Sequence, residues 1–104
     1  MPVVKEIVAT LSSRFNPAVA GNMQAVFQFS IDNEHYYMTI SSGSCTITEG
    51  EHDDPTVTLT MSIDTLQELV DGSISGMQAF MMGKLKTQGD MMLATKLGPL
   101  FGLA

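Results

Sequence analysis

The chain has no tryptophan, a single cysteine, two histidines and five basic residues, and charged side chains make up only 15% of it. Each shortage removes a class of function. Phosphate binding depends on clustered Lys and Arg, which are scattered here, so nucleic acid is not an expected partner. A net charge of −6 repels an anionic bilayer at long range, which leaves transient apolar contact as the expected membrane interaction. Cys45 has no intrachain partner for a disulfide, which suits a reducing compartment, and the cytoplasm is the expected location. No apolar run approaches the ~18 residues of a membrane span. The opening Met1-Pro2-Val3-Val4-Lys5-Glu6 carries an acidic residue early and no apolar h-region, so no signal peptide is expected.

What the chain does have is apolar material. Hydrophobic residues make up 44% of 104 positions, enough for one core, and residues 1–104 read as a single domain. Pro2 suits a first helical turn, and Val4, Ile7, Val8, Leu11 and Phe15 follow as a helical stripe. Asn16-Pro17 ends that helix, and Asn16 is placed to cap a short turn over Pro17–Ala20 closed by Gly21.

From Ala25 the period becomes two. Ala25, Phe27, Phe29 and Ile31 alternate with polar neighbours, and so do Tyr36, Met38 and Ile40 after an Asp32-Asn33-Glu34 turn. Cys45-Thr46-Ile47-Thr48 continues the alternation. An acidic loop from Glu49 to Pro55 then leads to Val57, Leu59, Met61 and Ile63. These four strands have one apolar face, which needs a cover, and one Ser/Thr-rich face expected to meet water.

Helical patterns follow and supply the cover. Asp64 to Gln67 and Ser75 to Gln78 fit capping boxes, while Gly72 and Gly83 suit left-handed helix ends. Leu85 and Thr87 mark a short fifth strand. Asp90 can cap a last helix that shows Leu93, Leu97 and Phe101, and Gly98-Pro99 should bend or break it. The expected fold class is α+β: a five-stranded, mostly antiparallel sheet with about five helices on one face.

Reaction chemistry finds little support. His35 lies beside a turn without a general-base partner. His52 sits among Glu49, Glu51, Asp53 and Asp54, but the run lacks the glycine-centred spacing of a calcium loop and reads as a solvated turn. Cys45 falls on the apolar phase of its strand and has no cationic neighbour to make a thiolate. The serines suit turns and caps, and Gly83-Lys84 lacks the rest of a phosphate loop. No catalytic residue, cofactor or metal is therefore expected, and the chain reads as non-catalytic. An enzyme acting on a lipid with His35 or His52 as base is the weakest alternative.

Five of the nine methionines, at positions 77, 81, 82, 91 and 92, fall within sixteen residues. Flexible, polarizable thioethers can repack around guests of different shape. This segment also carries Phe80, Gly83-Lys84-Leu85-Lys86, Gly89-Asp90 and Leu93-Ala94-Thr95-Lys96-Leu97, and here the chain resembles the sterol carrier protein 2 (SCP-2) family. The resemblance implies strand order 3-2-1-4-5, helices on one face and an enclosed apolar tunnel. It implies binding or transfer of a fatty acid, fatty acyl-CoA or sterol-like lipid. Met82 replaces a Gln common in animal members, which favours simple acyl chains. The chain ends Gly102-Leu103-Ala104 where animal members carry a peroxisomal signal, so peroxisomal import is not expected.

On the strands, the expected ligand-binding residues are Phe27, Phe29, Met38, Leu59, Met61 and Leu85. On the helices they are Leu69, Met77, Phe80, Met81, Leu93, Leu97 and Phe101, with Met77, Phe80 and Met81 on one side of their helix. The apolar tail 98–104 needs a cover: the tunnel mouth, the tunnel itself, or a second copy in a homodimer. The alternative function is an accessory interaction module of a lipid-metabolising enzyme or complex, its groove filled by a partner or by this tail.

Overall fold

The computed structural model describes residues 4–103, so the expectation for Pro2 lies outside the described residues. Helix α1 (Val4–Ser13) buries the stripe Val4, Ile7, Val8 and Leu11. Helix α2 (Pro17–Ala20) starts as expected, the Asn16 side chain accepting a hydrogen bond from the Ala18 N–H at 3.0 Å. Phe15, between the two, packs its ring 5.9 Å from Phe101 near the other end of the chain.

Strands β1 (Ala25–Ile31), β2 (Glu34–Ser41) and β3 (Ser44–Glu49) form two tight hairpins. Asp32 and Asn33 have φ of 48° and 70°, and Ser42 and Gly43 have φ of 53° and 73°. Two consecutive left-handed residues give the turn whose twist matches paired antiparallel strands. With β4 (Val57–Met61) and β5 (Leu85–Gly89) the sheet runs β3-β2-β1-β4-β5. Among the described residues, only the β1–β4 pairing is parallel. The register puts Phe27 beside Met38 and Val57, and Phe29 beside Tyr36 and Leu59. One face is therefore continuously apolar.

The opposite face is not simply wet. Because β4 lies on the far side of β1 from β2 and β3, residues 50–56 must return across the sheet. Gln28 anchors that return: its Nε2 donates to the carbonyls of Tyr36 (3.2 Å) and Gly50 (3.1 Å), and its Oε1 accepts from the His52 N–H at 2.7 Å. The side chain is buried, although the alternation assigned it to solvent. Gln28→Leu keeps much of the shape and removes all three bonds, so it should cost about 1–3 kcal/mol. Urea denaturation measures this directly; a loss under a few tenths would mean water substitutes for the amide.

The helical layer departs from expectation in two places. Ile63 was expected to extend the fourth strand, but it opens helix α3 (Ile63–Asp71). The cap is Ser62, whose Oγ accepts from the Thr65 N–H at 3.2 Å, not Asp64. Asp64 lies in the first turn, where a carboxylate meets the positive end of the helix dipole. Ser75 and Gln78 form the expected reciprocal box at the start of helix α4 (Gly76–Met81). Asp90 caps helix α5 (Met91–Thr95) by accepting from the N–H groups of Met92 and Leu93.

The last helix does break, but at Lys96, and Gly98 and Pro99 sit inside helix α6 (Leu97–Phe101). Pro99 has no N–H for the Thr95 carbonyl and its ring crowds that carbonyl, so the interruption falls upstream of the proline. Leu100 and Phe101 are fully buried, and the Leu100 carbonyl accepts from the Asn16 N–H at 2.8 Å. Leu100 and Phe101 thus find their cover within this chain.

Candidate functional site

Most of the expected ligand wall is packed core. Phe27, Phe29, Met38 and Leu59 have no exposed surface, and Met61, Leu69, Leu85 and Leu97 are also buried. Phe101 meets Phe27 edge-on, with ring centroids 6.2 Å apart. Leu93 is half-buried against the same core.

A cavity of about 330 Å³ lies at the β5 end of the molecule, between α4, β5, α5 and α6. Of the expected residues, Met77, Phe80, Leu85 and Leu97 line it. The remainder of the wall comes from Gly76, Thr87, Met91, Ala94 and Thr95, and from the turn through Gly98, Pro99 and Leu103. Phe27, Phe29, Met38, Leu59, Met61, Leu69, Leu93 and Phe101 are not in the lining.

Sequence reasoning passed over Thr87, Met91, Ala94 and Thr95. Met91 belonged to the methionine-rich segment, and that was the available signal. Ala94 and the two threonines carried none, being small or polar residues of a kind common on any helix or strand.

Met81 is corrected outright in placement: it is 78% exposed and absent from the lining. Ala79, fully buried, takes the inward position of α4. The short helix is rotated so that Met77 and Phe80 border the cavity while Met81 faces solvent. The neighbouring Met82, Met91 and Met92 are exposed as well. None of the five clustered methionines is a core residue.

Among the described residues the wall contains no charged side chain. Its two hydroxyls already have partners: Thr87 Oγ1 donates to Met91 Sδ at 3.1 Å, and Thr95 Oγ1 donates to the Met92 carbonyl at 2.6 Å. Chemically, such a wall can exclude water from an aliphatic group and offers it no strong polar demand.

Titratable groups lie elsewhere. A second, polar hollow of about 260 Å³ is formed by residues around the β2 start and β3 end, including His35 and Tyr36. His35 Nδ1 is 3.6 Å from Glu51 Oε1, too long for a hydrogen bond. Burial, with Glu49 and Glu34 adding repulsion, pushes the Tyr36 hydroxyl up, so it stays protonated. His52 Nδ1 accepts from the Asp54 N–H at 3.0 Å, which fixes it as a turn residue. Burial also pushes the Cys45 thiol up, partly offset by a hydrogen bond with Ser12, which disfavours the nucleophilic thiolate. Among the described residues no three His, Cys, Asp or Glu side chains converge as a metal site. No helix among them is long and apolar enough to cross a membrane.

The family model of the SCP-2 sterol transfer family matches residues 6–102. The chain is 32% identical over 98 residues to bovine hydroxysteroid dehydrogenase-like protein 2, covering 90% of this chain and 23% of that protein. It therefore spans about a quarter of that relative's length. A palmitated sterol carrier protein 2-like protein from Aedes aegypti superposes with a TM-score of 0.80 at 21% identity, covering 96% of this chain and 95% of that one. A stereoselective inverting sec-alkylsulfatase from Pseudomonas sp. contains a similar fold, with TM-score 0.75 and 23% identity over 89% of this chain and 15% of its own. At these identities the structural likeness is one of fold.

Proposed function

This chain belongs to the SCP-2 sterol transfer family, and on that premise we propose that it is a lipid-binding domain that holds the aliphatic part of a lipid in the α4–β5–α5–α6 cavity and hands it on without altering it. The observation that carries this reading is the wall itself: apolar side chains from four elements, no charge, and both hydroxyls internally bonded. Met77, Phe80, Met91, Ala94, Leu85 and Leu97 would touch the ligand. The strand residues Phe27, Phe29 and Leu59, with Phe101, would hold those six in place.

A volume of about 330 Å³ is at the small end of the ~300–1,000 Å³ of ligand pockets. It suits part of one acyl chain, which favours a fatty acid or fatty acyl-CoA over a rigid sterol. Each buried methylene contributes about 0.8 kcal/mol, so even a partly inserted chain has a gross driving force of several kcal/mol before ordering costs. With so few polar groups, selection among chain lengths should be weak. A palmitated relative of the same fold and size supports this ligand class.

The test is titration with a fluorescent fatty acid. Saturable uptake competed by palmitate is expected; no saturable uptake by protein with an intact melting transition ends the proposal. A second reading is favoured by the much greater length of the bovine relative: the domain serves as an accessory module that presents lipid to an enzyme. Co-purification with a lipid-consuming enzyme, lost when the cavity is filled, is the expected result on that reading.

A further inference from the structure

Among the described residues seven large apolar side chains are exposed, and six of them (Met77, Phe80, Met81, Met82, Met91, Met92) lie between residues 77 and 92. Only Val19 lies elsewhere. Three of the six, Met77, Phe80 and Met91, also line the cavity, so the exposed set adjoins it along α4 and α5. Scattered single apolar residues are ordinary on a surface; a set gathered beside one cavity marks an interaction site.

Charge identifies the partner. Residues 76–103 carry Lys84, Lys86 and Lys96 against Asp90 alone, a net +2, while the rest of the chain carries −8. The Asp90 carboxylate is further occupied in capping α5. Lys84 is 3.4 Å from Glu68, an exposed pair that water screens. Near an anionic surface the acidic remainder of the molecule is repelled more strongly than this segment, which stays net +1 with Glu68 counted in it. This favours an approach with the methionines toward that surface. The overall charge, taken as a single number, conceals this polarity.

We propose that the face formed by α4, α5 and the β5 edge is a docking surface for an anionic lipid bilayer, with the methionines entering the interfacial region beside the cavity. The proposal rests on the lipid-binding reading for its purpose, since a cavity opening onto the membrane can exchange ligand without crossing water. Flexible thioethers suit a disordered acyl boundary, and interfacial binding grows with buried apolar area plus attraction to anionic lipid.

Co-sedimentation with phosphatidylcholine vesicles containing phosphatidylglycerol tests it. The native chain should bind these vesicles, and less so pure phosphatidylcholine. The double variant Met82→Gln, Met92→Gln keeps the charge, and neither position lines the cavity. It should lower partitioning roughly tenfold, with unchanged melting and unchanged fatty-acid uptake from solution. A single Met92→Trp reporter should shift its emission to the blue on adding vesicles, while Thr46→Trp, on the far edge strand β3, should not. Equal sedimentation of the double variant, or a shift at Thr46→Trp instead, overturns the proposal. So does a native dimer in light scattering that the double variant makes monomeric without any vesicle binding, because a second copy then covers the patch. Vesicle binding in a protein that takes up no fatty acid would remove the lipid-binding reading and leave the docking face in place.

Discussion

On the proposed function, filling the cavity with Ala94→Phe is expected to lower fatty-acid affinity at least about tenfold while the melting temperature holds or rises. Ala94 lies on α5, half-buried, and borders the cavity opposite α4 and β5. A phenyl group added there occupies space that the ligand would otherwise use. Excluding two or three methylenes costs about 2 kcal/mol, which exceeds a tenfold change in Kd. The same ring would sit in a cavity lined also by Phe80 and Leu97, so little stability should be lost. Fluorescent fatty-acid titration and a thermal melt on one preparation measure both quantities. Unchanged affinity with an unchanged melt places the ligand elsewhere. A large fall in melting temperature would mean that the space is too tight for the ring, in which case Ala94→Leu is the gentler probe.

The largest stability effect should come from Phe27→Ala. Phe27 is fully buried in the central strand, flanked by Met38 on β2 and Val57 on β4, and edge-on to Phe101. Removing a buried phenyl ring loses its transfer free energy and leaves a cavity, together about 3–5 kcal/mol. Against a typical total of ~5–15 kcal/mol for a domain, that is a major share. Denaturant midpoints report it, and a loss below about 1 kcal/mol would show that the core collapses freely around the gap. Because Phe27 is outside the cavity lining, the fraction that remains folded should bind fatty acid with native affinity. A selective loss of binding would instead restore Phe27 to the ligand wall.

These two variants separate properties that the amino-acid pattern runs together. Alternation along Phe27, Phe29, Met38, Leu59 and Met61 marks an inward face, and all five are buried. Burial alone does not say whether an inward residue touches a ligand or another side chain. Phe27 meets Phe101 edge-on, and Phe101 lies seventy-four positions away in sequence. The tail was legible as apolar and in need of a cover, but its docking against α2 and Phe15 depends on a long-range fit.

Local order in the chain needs only local chemistry. The period-two runs, the turn residues at Asp32-Asn33 and Ser42-Gly43, the capping pair Ser75 and Gln78, and Asp90 at the start of α5 were all readable because each acts over a few neighbouring residues. Strand order came through the family resemblance. The start of α3 was expected at Asp64, and the cap is Ser62, two residues earlier. Three outcomes required the assembled molecule: the burial of Gln28 beneath residues 50–56, the rotation of α4 that puts Met81 in solvent, and the cavity at the β5 end. Each depends on elements far apart in sequence competing for the same space. Periodicity says which side of an element is apolar; only packing says what that side meets.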